Sequence, residues 1–159
     1  MKPLPPFEQF LMAIGRIDAF QVRSAKGYQQ RWGRSFEQAI VELGFVTERA
    51  LLLDLAQYMG VPCIRVEART IPKEALRTLP EKLIRARRVI PLAITGDERQ
   101  GPLVVAMRDP RDLAALDDVR FAAGLPVQPV LASEKEIDQA IEAHFGKPAS
   151  APEQPRSVA

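Results

Sequence analysis

At 159 residues, 47% apolar and 26% charged, the chain is long enough to bury a core and too apolar for a wholly disordered polypeptide. Its net charge of +2, with both signs interspersed, lacks the one-sided basic footprint of a nucleic-acid binder. The single cysteine, Cys63, excludes an internal disulfide. No apolar run is long enough for a signal peptide or a membrane span, so the expectation is a cytoplasmic protein with no nucleic-acid partner and no direct membrane insertion.

The first 60 residues contain an internal repeat. Phe7-Glu8-Gln9 recurs as Phe36-Glu37-Gln38, an offset of 36 − 7 = 29 that also carries Gly15 onto Gly44 and Ile17 onto Val46. Phe7, Phe10, Leu11 and Ile14 fall at helical spacing, as do Phe36, Ala39, Ile40 and Leu43. Each set predicts a helix of about two turns closed by Gly15 or Gly44. Asp18 with Gln21 predicts a capping box, and Thr47 an N-cap, each opening a longer helix. The second of these carries Leu51, Leu55 and Met59 along one stripe, whereas the first is more polar.

Beyond Pro62 short β-like runs alternate with helices. Ile64–Val66, Val89–Ile94, Leu103–Met107 and Val127–Leu131 are predicted strands, the middle two forming a hairpin across a turn from Thr95 to Pro102. Helices are predicted near Pro72–Leu79, over Pro80–Arg88, from Pro110 to Gly124 with Leu113, Leu116 and Val119 inward, and from Ser133 to Gly146. Ser133 and Glu136 have capping-box spacing, and Pro129 favours an edge strand. The predicted class is α+β. Two tandem helix-turn-helix units occupy 1–60, a small α/β subdomain with a three- to four-stranded sheet and flanking helices occupies 61–146, and 147–159 is expected to be a disordered tail.

Val41-Glu42-Leu43-Gly44-Phe45-Val46-Thr47, Gly60-Val61-Pro62, Leu79-Pro80 with Val89-Ile90-Pro91-Leu92, and Asp109-Pro110 through Asp117-Asp118-Val119-Arg120-Phe121 together resemble the N-terminal domain of type II secretion and type IV pilus assembly ATPases (general secretion pathway protein E, MshEN-like). The resemblance spans about residues 6 to 146. It implies a domain that contacts a component of a secretion or pilus machine, or a separate ATPase. ATP hydrolysis needs a phosphate-cradling G-x-x-x-x-G-K-[ST] loop, which this sequence lacks, so the expectation is a non-catalytic interaction or adaptor domain without the ATPase.

A branch of that family binds cyclic di-GMP through two tandem motifs that start Arg-Leu-Gly and end in Gln, joined by a five-residue spacer. On the resemblance, copy one runs from Pro6-Phe7-Glu8 to Gln29, the spacer is Gln30 to Arg34, and copy two runs from Ser35-Phe36-Glu37 to Tyr58. Both arginines and both glycines are replaced. Carboxylates facing phosphate repel, so this reading sets cyclic di-GMP aside as a partner. The alternative keeps a nucleotide-sensing domain with a degenerate motif, using Gln29, Arg31, Arg34 and Tyr58, the arginines substituting for those lost.

The basic run Lys82, Arg85, Arg87, Arg88 is either a solvated helix face or a docking surface for an acidic protein partner. Asp117 and Arg120 have the spacing of a local ion pair. His144 and Cys63 lack the neighbours that metal or triad chemistry requires, so no catalytic residue, metal or cofactor is assigned.

Overall fold

A computed structural model describes residues 5–96 and 100–147. The chain divides into two compact units, Met1–Pro62 and Cys63–Ala159.

The first unit consists of four helices, α1 (Phe7–Ala13), α2 (Ala19–Trp32), α3 (Phe36–Glu42) and α4 (Glu48–Met59). Short α1 and α3 each end two residues before a glycine at φ +79°, Gly15 and Gly44, a conformation that an L side chain rarely adopts. Asp18 accepts from the Gln21 N–H while Gln21 returns a bond to the Asp18 N–H, a complete capping box at α2. Ser35 and Gln38 do the same at α3, a box that sequence reading missed, and Thr47 accepts from the Ala50 N–H at α4. Leu11 and Ile40, equivalent across the repeat, are both fully buried, as are Ala25 and Ala39. Of the predicted α4 stripe only Leu55 is buried, with Leu51 and Met59 half-exposed.

The second unit holds a three-stranded sheet in the order β1 (Ile90–Ile94), β2 (Leu103–Met107), β3 (Val127–Leu131). β1 and β2 pair antiparallel with a bulge beside Pro91, which has no N–H to give, and β2 and β3 pair parallel across the connecting helix α7 (Leu113–Ala123). The hairpin turn is only partly described, because 97–99 lie outside the described residues. Helices α5 (Lys73–Leu76), α6 (Glu81–Arg87) and α8 (Glu134–Phe145) complete the unit, with a 3₁₀ turn at Ala68–Thr70. Ile84, Val89, Ile90, Leu103, Val105, Val119 and Ile137 form the centre of one aliphatic core.

The second unit departs from expectation at four places. Ile64–Val66 is not a strand. Cys63 makes an isolated parallel bridge to Leu131, Ile64 N–H donates to the Leu131 carbonyl, and the Val66 N–H is taken by the Glu136 carboxylate at 2.8 Å. That same long-range bond leaves the predicted box at α8 half-formed, since Ser133 accepts from Glu136 N–H but the Glu136 side chain points elsewhere. α7 starts at Leu113 rather than Pro110, because Asp112 caps it through Ala115 N–H, and this turns Leu113 outward at 67% exposure. The helix predicted over Pro72–Leu79 is the single turn α5. The predicted tail, apart from Lys147, lies outside the described residues.

Candidate functional site

The two ends of the repeat are joined by a pair of equivalent hydrogen bonds. Gln29, on the last turns of α2, donates from Nε2 to the Arg34 carbonyl at 3.3 Å, immediately before the α3 N-cap. Tyr58, near the end of α4, donates from its hydroxyl to the Pro5 carbonyl at 2.5 Å, immediately before the α1 N-cap. Both donors and both acceptors are 29 residues apart in sequence. The residue that ends each copy therefore fastens the start of the other, and tyrosine reproduces the donor role of glutamine in copy two. Tyr58 also packs its ring on Phe7 and Phe10, with centroids 5.1 and 5.2 Å away, so the phenol is anchored by apolar contact as well as by its hydroxyl.

Around the spacer a second group of side chains converges on Glu42 of α3. Its carboxylate accepts the Tyr28 hydroxyl at 2.7 Å and the Arg34 Nε at 3.2 Å. The hydrogen bond to Glu42, assisted by burial and by the carboxylate's charge, holds the Tyr28 phenol above its ordinary value against the opposing charge of Arg34. One turn after Tyr28 the indole of Trp32 stands 58% exposed, with its ring centroid 6.3 Å from that of Tyr28. The Arg31 guanidinium carbon lies 5.4 Å from the indole centroid, within cation–π range. Of the four residues assigned to a ligand from sequence, Gln29 and Arg34 are thus in direct contact. Arg31 sits on the same turn beside Trp32, and Tyr58 serves the opposite junction. Trp32, Tyr28 and Glu42 were missed, although the Tyr28/Trp32 spacing of four on a polar helix marks them as neighbours.

At the motif starts, the carboxylate of copy one has a cationic partner. Glu8 lies 3.3 Å from Lys26 Nζ, so its negative charge is partly compensated. The most buried charge in the unit is Asp54, 4% exposed, which takes Arg16 in a two-pronged contact at 2.6 and 3.0 Å. Asp54 occupies the position of Ala25 in the first copy, so this pair has no counterpart across the repeat.

Three of the four residues in the basic run make internal contacts. Arg85 binds Glu81 and the carbonyls of Phe145 and Gly146, Arg87 grips Asp118, and Arg88, at φ +53° past the end of α6, reaches Glu134 and Asp138. They tie α6 to α7 and α8. Lys82 is exposed and has no such partner among the described residues. Asp117 and Arg120 pair at 3.5 Å as their spacing predicts, and His144 Nε2 lies 2.6 Å from the Ala68 carbonyl. Among the described residues no group of three or more His, Cys, Asp or Glu could hold a metal, and no helix is long and apolar enough to cross a membrane.

The model of the MshEN domain matches residues 59–151. The type IV pilus assembly ATPase PilB of Myxococcus xanthus is 31% identical over 140 residues, which is 87% of this chain and 24% of that protein. A structure of MshE with cdg matches with a TM-score of 0.78 and 26% identity, covering 89% of this chain and 99% of that one. A structure of the N-terminal domain of XpsE matches with a TM-score of 0.60 and 28% identity, covering 86% and 91%. The chain spans only 14 to 25% of the length of the curated relatives it matches, which are PilB ATPases and a type II secretion system protein E. It is thus related to the N-terminal region of these ATPases, not to their catalytic domain. The match to MshE with cdg overturns the expectation that set cyclic di-GMP aside. That expectation judged the site from six residues at the motif starts, whereas the likeness extends over nearly the whole chain.

Proposed function

The chain belongs to the MshEN domain family, and from that membership we propose that it is a non-catalytic, cytoplasmic regulatory domain that takes cyclic di-GMP on its tandem helical units. The observation that carries this reading is the likeness to MshE with cdg over 89% of the chain, a span that must include most of the repeat. The local chemistry supports it. Gln29 and Tyr58 stand at equivalent ends, Arg31 and Arg34 are exposed cations within the spacer, and Lys26 offsets the charge of Glu8. Two phosphodiesters need cations, and arginine offers forked donors that suit them. Binding of the ligand would bias how the domain meets a protein partner in a secretion or pilus machine, or a motor ATPase. For that partner contact Lys82 is the available member of the basic run, since Arg85, Arg87 and Arg88 already hold α7 and α8 in place.

Calorimetric titration of the whole chain with cyclic di-GMP tests the reading. We expect saturable binding with a dissociation constant below about 1 mM, equivalent to about 4 kcal/mol. Absence of heat at that concentration, from a folded sample, refutes it.

A further inference from the structure

Trp32 is the only tryptophan of the chain, and it is 58% exposed at the end of α2, where burial would ordinarily be favourable. Its surroundings hold it in a defined place without covering it. Tyr28 braces the indole from one turn earlier, Tyr28 is fixed by Glu42, and Glu42 also holds Arg34 across the spacer. Arg31 lies against the ring. The group therefore presents a planar aromatic surface with two guanidinium ions and one carboxylate, a local excess of one positive charge.

A cyclic purine dinucleotide has the complementary parts, flat bases joined through anionic phosphodiesters. We infer that Trp32 is the base-stacking residue of the site, with Arg31 and Arg34 beside it to receive phosphate, so that the spacer carries contacts the motif starts have lost. The inference rests on the cyclic di-GMP reading above and adds a residue and a mode of contact to it. Stacking fits an exposed indole because a base covers the ring face while its polar edges stay in water. Release of Arg31 from the indole to a phosphate would exchange a cation–π contact for a charge-assisted hydrogen bond.

The test uses the intrinsic fluorescence of the single tryptophan together with calorimetry, on the full chain and on Trp32→Phe and Trp32→Leu. Cyclic di-GMP should quench the emission with the same dissociation constant that calorimetry gives. Trp32→Leu should weaken binding by about fivefold to a hundredfold, the range expected for one base–aromatic stack, while Trp32→Phe should retain most of the affinity. Because the side chain is exposed, both variants should keep the parent's circular dichroism spectrum. Calorimetric binding with unchanged affinity in Trp32→Leu, whether or not the parent's emission is quenched, overturns the inference and leaves the cyclic di-GMP reading intact. No calorimetric binding by the parent chain overturns both.

Discussion

In the first copy of the repeat the residue before α1 is Pro6, which offers no side-chain cap, and the core position at 25 is alanine. In the second, Ser35 caps α3 with a full capping box, and the equivalent core position is Asp54, paired with Arg16 of the first copy. Between these differences the units coincide. Leu11 and Ile40 are buried alike, Gly15 and Gly44 share one φ, and Gln29 and Tyr58 each donate to the carbonyl preceding the other unit's first helix. The copies share one backbone plan through matched apolar positions and glycines, and differ in the cap of the first helix, in the buried position 25/54 and in the residue that ends each copy.

The largest test of that equivalence is in the core. Leu11→Ala and Ile40→Ala should each lower unfolding free energy by about 2 to 5 kcal/mol, because each removes a fully buried aliphatic side chain. Urea unfolding should find the two losses similar. A severe loss at one site and none at the other would break the equivalence. At the helix starts the copies should behave differently. Ser35→Ala removes a cap and should cost about 1 kcal/mol, whereas Pro6→Ala removes none and should cost clearly less in the same assay. The smallest effect is expected at the junction. Tyr58→Phe deletes the bond to Pro5 yet keeps the ring on Phe7 and Phe10, so about 0.5 kcal/mol should be lost, and Tyr58→Gln should lose more despite restoring the donor of copy one. If Tyr58→Gln were the more stable of the two, the hydroxyl rather than the ring would be the anchor.

Much of this architecture was legible in the sequence because it depends on short-range signals. Helical spacing placed Leu11 and Ile40 inward, the glycines marked the ends of α1 and α3, and alternation with β-branched residues located β2 and β3 at their observed bounds. What escaped depends on partners distant in sequence. Glu136 looked like half of a local box, but it satisfies Val66, 70 residues away, and so removes the need for a strand there. Arg87 and Arg88 read as part of a basic face because nothing local shows that carboxylates on α7 and α8 reach them, and Arg85 because the Phe145 and Gly146 carbonyls it binds are 60 and 61 residues away. At the candidate site, Gln29, Arg31, Arg34 and Tyr58 were proposed from motif ends and spacer. Trp32 was not, since exposure of an aromatic residue is a tertiary property and helical spacing alone would have placed it in a core.

In the proposed function both copies and the spacer hold the ligand together. Backbone amide chemical-shift mapping during a cyclic di-GMP titration tests it directly. Saturating shifts are expected at the start and end of each copy, near Phe7, Gln29, Phe36 and Tyr58, and through Arg31 to Arg34, with Lys82 to Arg88 unmoved. Shifts confined to one copy, or centred on Lys82 to Arg88, would contradict it.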